Sequence, residues 1–154
     1  MSTTAASLSV PTTSAAARSA RTTSRVPRFA LLAPATVVAA VAANAAFYYL
    51  ASAVVAYDSE FLPLANVSGA IIFTLFPALV AVPLYAALRR FTRQPARIFT
   101  ILSAIVLALS LIPDFTYIPS VPGVTDGQIA VLVLMHGVAA AVIVRMLTLS
   151  QGRN

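Results

Sequence analysis

Five side chains in this sequence could carry acid–base or ion-binding chemistry: His136, Asp58, Glu60, Asp114 and Asp126. His136 is the sole histidine and stands in "LVLMHGVAAAVIV" (132–144), with apolar residues on both sides. An unperturbed histidine titrates near neutral pH, and its ring can both donate and accept a hydrogen bond. Those properties suit a proton relay. They do not by themselves make an enzyme. There is no Cys, so disulfides, thiolate nucleophiles and Cys-based metal sites are excluded. One histidine with no acid expected at the same depth gives no nucleophile–base pair and no zinc ligand set. At most it offers one axial haem ligand, which an absorption spectrum would reveal. The sequence therefore predicts a non-enzyme with no catalytic residues, no metal site and no cofactor.

The elements that must position these residues are apolar. Of 154 residues, 60% are hydrophobic and 9% charged. Soluble domains carry about 25% charged residues, too many for this chain to imitate. The hydrophobic residues fall into four runs: 29–56, 67–88, 98–117 and 128–149. About 20 helical residues cross the ~30 Å hydrocarbon core. The third run is long enough only if its helix continues past Pro113. The expected fold is all-α, an integral membrane bundle of four transmembrane helices over residues 29–149. Residues 1–28, rich in Ser, Thr, Ala and Arg, read as a disordered cytoplasmic tail, and 150–154 as a second short tail. Run one exceeds a signal-peptide core of ~7–15 residues and is expected to stay uncleaved.

Charge placement supports the four-span reading. All ten basic residues are Arg. Arg18, Arg21, Arg25 and Arg28 precede run one; Arg89, Arg90, Arg93 and Arg97 separate runs two and three; Arg145 and Arg153 end the chain. With four spans every Arg lies on one side and every acid on the other. The positive-inside rule then places both termini in the cytoplasm, in a bacterial plasma membrane. The net charge of +6 is thereby explained without nucleic acid. "TDGQ" (125–128) has the capping-box pattern for the start of the last helix. Tyr48, Tyr49, Tyr57 and Tyr117 fall towards the outer interface, and Phe29, Tyr85 and Phe91 towards the inner, as aromatic belts do.

The last run, "QIAVLVLMHGVAAAVIVRML", preceded by "SLIPDFTYIPSVPGVTDG", resembles an uncharacterised actinobacterial family of short, Ala-rich, four-helix membrane proteins, a domain of unknown function. The resemblance spans residues 29–149. It implies a four-span bundle and supplies no functional residues.

Counting 1.5 Å per residue puts His136 ~12 Å below the outer end of its helix. By the same count Asn44, Thr74 and Ser110 reach a similar depth. The four form a candidate mid-membrane polar layer, one residue from each helix. Pro77 lacks an N–H and should free the Phe73 carbonyl, a further acceptor in that layer. The layer reads either as a proton relay or polar pocket, or as interhelical hydrogen-bonded glue between neutral groups. Asp114 is a candidate vestibule residue if the third helix continues to Tyr117, and an ordinary interfacial residue if it ends at Pro113. The Pro-rich loop favours the second, with Asp114 too shallow to reach His136 directly. Gly137 and Ala141 stand at small-xxx-small spacing, a helix-packing signal. The sequence points first to a small structural or interaction protein that acts through helix association, as a homo-oligomer or with a larger membrane partner. The alternative is a small transporter or channel component using His136, Asn44 and Asp114.

Overall fold

The computed structural model describes residues 28–149, so the expected tails at 1–28 and 150–154 lie outside the described residues, apart from Arg28. Helix α1 runs Arg28–Ser52, α2 Leu62–Ala65, α3 Val67–Phe91, α4 Pro95–Ser110, α5 Ile112–Thr116 and α6 Asp126–Leu149, with a 3-10 turn at Ile118–Ser120. No strand occurs among the described residues. Four segments are long and apolar enough to cross a membrane: Phe29–Ser52, Val67–Phe91, Pro95–Ser120 and Asp126–Leu149. At 1.5 Å per residue each is roughly 36 Å long or more, beyond the ~30 Å core. The chain is a small multi-pass membrane protein.

Two boundaries depart from the sequence reading. The first helix stops at Ser52, four residues short of Ala56, where the chain turns into the outer cap. The third span begins at Pro95, where a proline's missing N–H costs nothing and the sequence already suits a first turn. It also continues past Pro113. Helix α4 ends at Ser110, and Pro113 then sits in the first turn of α5, starting a new helical segment instead of ending the old one.

Each long helix buries one narrow stripe. Thr36, Ala40, Asn44 and Tyr48 form that of α1; Ala70, Thr74, Ala78 and Tyr85 that of α3; Val131, Met135, Ala139, Ile143 and Leu147 that of α6. Spacing of three, four or seven keeps these residues on one face. Small residues let the backbones approach, since lipid provides no hydrophobic drive for helices to associate. Large apolar side chains such as Leu31, Val38, Ile72, Phe76 and Ile105 face outward, as a bilayer requires.

The core divides into two apolar clusters. The outer holds Tyr48, Ala51, Phe61, Leu64, Ala70, Val131 and Met135. The inner holds Ala40, Ala78, Tyr85, Phe99, Ile143 and Leu147. Asn44 and Thr74 fall between them, one turn from members of each. Two expected belt tyrosines belong to this core. Tyr85 is buried against Phe29 and Phe99, and Tyr48 donates to the Leu64 carbonyl at 3.0 Å.

The outer cap fixes the helix ends. Asn66 Oδ1 accepts from the Ser68 N–H at 3.0 Å and caps α3. The expected capping box forms: Thr125 N donates to Gln128 Oε1 at 2.9 Å, and Gln128 N to Thr125 Oγ1 at 3.3 Å. Gln128 Nε2 also donates to the Ala56 carbonyl at 3.4 Å, tying α6 to the loop after α1.

Helix α1 packs mainly on α6 and α3, whereas α4 leans on α6 and meets α3 only thinly. That uneven packing leaves a cleft between α3 and α4.

Candidate functional site

The cleft has a volume of about 580 Å³. Helix α3 forms one wall and α4 the other, with α6 as the floor, α5 at the outer end and Asn44 of α1 behind. The walls are largely apolar, including Phe73, Pro77, Val80, Leu84, Leu102 and Val106. Asn44, Thr74, Ser103, Ser110, Asp114 and His136 bring polar groups to the same cleft. All four residues of the expected polar layer thus line one space. They do not form one hydrogen-bonded network.

Asn44 and Thr74 pair directly. Asn44 Nδ2 donates to Thr74 Oγ1 at 2.5 Å, and Thr74 Oγ1 donates to the Ala70 carbonyl at 2.7 Å. Ser110 turns its hydroxyl back to the Leu107 carbonyl at 2.8 Å. His136 Nδ1 faces the Leu132 carbonyl at 2.8 Å. None of these groups takes the Phe73 carbonyl, contrary to the sequence expectation: each finds an acceptor closer to hand, mostly on its own helix.

Asp114 is the main correction. It is not too shallow to reach the histidine: its Oδ2 lies 3.4 Å from His136 Nδ1, and its side chain is 7% exposed against 36% for His136. The depth count misplaced it by ending the third span at Pro113. The apolar helical stretch runs on to Ser120, so Asp114 lies within it and not at its end. The break after Ser110 re-aims the chain so that α5 packs on α6. The two groups are in contact and form an ion pair only when the ring is protonated. Nδ1 is directed at Leu132, and Asp114 Oδ2 has no hydrogen-bond partner among the described residues.

The family of unknown function DUF6069 matches residues 21–153. The chain belongs to this family. No curated protein and no solved structure matches it. The DUF6069 match covers all four spans and both halves of the acid–histidine pair, and it assigns no activity to either.

Among the described residues no group of three or more His, Cys, Asp or Glu is placed to hold a metal ion. Gly137 is also not where its spacing suggested. A Cβ added there would meet nothing within 4 Å, and Ala141 is exposed. The close-packing face of α6 runs instead through Met135, Ala139 and Ile143. Gly137 and Ala141 make no tight helix contact within the chain. Ser103, which lines the cleft, escaped the sequence reading because an isolated Ser in an apolar helix has many innocuous explanations.

Proposed function

We propose that this DUF6069 member is a small transporter or channel component of a bacterial plasma membrane, with both termini cytoplasmic, that handles its ligand in the α3–α4 cleft. One observation carries the reading: a buried carboxylate and the sole histidine meet inside a cleft that is also lined by Asn44, Thr74 and Ser110. A carboxylate in a span is costly and is retained where it serves a path or a ligand. The sequence alone favoured neutral glue because no acid was expected near His136. The Asp114 contact removes that reason.

Reconstituted protein in liposomes containing a pH-sensitive dye tests the proposal. An imposed gradient is expected to give flux that His136→Ala and Asp114→Asn both abolish. Flux that is absent, or unchanged in both variants, overturns it.

A second reading, association with another copy or another membrane protein, is supported by the open surface at Gly137 and Ala141. Cross-linked oligomers that Gly137→Leu disperses would favour it.

A further inference from the structure

We propose that the cleft binds a lipophilic amine, a protonated primary or secondary ammonium head on an apolar body. The inference rests on the cleft reading above and adds the chemistry of its occupant.

The hydrogen bonds already made select the head group. Thr74 Oγ1 gives its proton to Ala70 and Ser110 Oγ gives its own to Leu107. Because the Thr74 oxygen can then only accept from Asn44, the amide must present Nδ2 to it. That leaves Asn44 Oδ1 as an acceptor, buried and without a partner among the described residues. His136 Nδ1 faces a carbonyl, so it carries the hydrogen, and the neutral ring keeps its lone pair on Nε2. Asp114 Oδ2 is likewise an unpartnered acceptor. Apart from the Ser103 hydroxyl and the second N–H of Asn44 Nδ2, the side-chain donors of the cleft are spent on the protein. What remains is mainly a set of acceptors, and their complement is a ligand that donates.

Charge narrows the class. Among the described residues Asp114 is the one carboxylate lining the cleft, and no Arg lines it. Asp126 shares a shallower groove with Asp114 on the outer side of α5. Among the described residues α1, α3 and α4 bring no ionisable side chain to the cleft. With the ring neutral, an ionised Asp114 leaves the cleft one negative charge and no cation to balance it. A single ammonium can supply that cation, whereas an anion would be repelled.

Shape supplies the body. A volume of about 580 Å³ lies within the ~300–1,000 Å³ usual for organic ligands and is far more than a bare cation needs. Phe73, Val80 and Val106 are more than half exposed along its walls. They would leave a polyol's hydroxyls unpaired but suit an apolar ring or chain entering from the bilayer.

The test uses the full chain in phosphatidylcholine nanodiscs. Binding of 1-naphthylmethylamine is measured by equilibrium dialysis against protein-free nanodiscs. The matched alcohol, 1-naphthylmethanol, the matched acid, 1-naphthylacetic acid, and the N-trimethylated cation are compared with it. The amine is expected to bind saturably and roughly tenfold or more tighter than each of the others, the ratio expected of one charge-assisted hydrogen bond. Asp114→Asn should erase the preference for amine over alcohol, while Asp114→Glu keeps it. Ala140→Phe, which fills the floor, should remove saturable binding of every probe. If Asp114→Asn does not fold, the wild-type comparison decides alone. Equal binding of alcohol or acid, still blocked by Ala140→Phe, overturns the amine assignment and leaves the cleft as a site. No saturable binding, or binding indifferent to Ala140→Phe, overturns both.

Discussion

Asp114 Oδ2 and the Leu132 carbonyl approach the same nitrogen, His136 Nδ1, at 3.4 and 2.8 Å. Two acceptors on one ring nitrogen determine where the proton is. The neutral imidazole must be the Nδ1–H tautomer, with Nε2 bare. Since His136 is the sole histidine, a ¹⁵N-histidine label gives an unambiguous pair of signals. At a pH where the ring is neutral, Nδ1 is expected to be protonated and Nε2 unprotonated. The reverse pattern would break the donor–acceptor assignment on which the cleft chemistry stands.

Asn44 and Thr74 should be coupled, and unequally. Thr74→Val removes the acceptor that a buried Asn44 Nδ2 finds among the described residues. Asn44→Leu removes the donor and leaves Thr74 bonded to Ala70. An unsatisfied buried polar group costs ~1–3 kcal/mol, more than an absent pair. Thr74→Val is therefore expected to be the more destabilising single change. A double-mutant cycle followed by denaturation in mixed micelles should return a coupling of about 0.6 kcal/mol, with ~1.7 as a ceiling. Zero coupling would mean that the two side chains do not meet.

The bundle itself was legible because lipid imposes a strong grammar. Four apolar runs and one-sided Arg placement specify four spans. The capping pattern of Thr125 and Gln128 locates the start of α6 to a residue. The site was half legible. Depth counting brought Asn44, Thr74, Ser110 and His136 to one cleft, because rise per residue is nearly constant in a helix. It failed at Asp114, where the helix breaks after Ser110 and restarts at Ile112. Pro113 signals both an end and a beginning, and only tertiary packing on α6 decides between them. Tyr48 and Tyr85 failed for a related reason: residue type suggests an interface, but rotation about the helix axis decides which tyrosine faces lipid.

Two glycines with similar surroundings in the sequence should respond oppositely to Ala. A Cβ at Gly69 would lie 2.5 Å from the Pro63 carbonyl oxygen, a backbone atom that cannot swing aside. Gly69→Ala must push α2 from α3, at the ~1–3 kcal/mol typical of overpacking. Gly137→Ala meets open space and gains helix propensity of up to ~1 kcal/mol. Thermal unfolding of the monomer should rank Gly137→Ala at or above the parent and Gly69→Ala well below it. A destabilised Gly137→Ala would show that the space beside Gly137 is not open in the folded chain.

Tyr57 lies in the outer cap, beyond the end of the first span, and donates its hydroxyl to the Tyr48 carbonyl at 2.9 Å. Burial, with a smaller contribution from Tyr48, raises its phenol above the usual value of 10.0. A raised pKa in the folded state means that folding favours the protonated phenol. Its contribution to stability is therefore complete below the unfolded phenol pKa and is lost as pH rises through the folded one. Tyr57→Phe should lower stability by about 1 kcal/mol at neutral pH, the worth of one hydrogen bond. That deficit should shrink on the alkaline side of about pH 10, as the parent loses what the variant never had. Unfolding curves of the two proteins at stepped pH, with phenolate absorbance followed at 295 nm, make the comparison. Curves that stay parallel into strong alkali would show that the Tyr57 hydroxyl is not held in the cap.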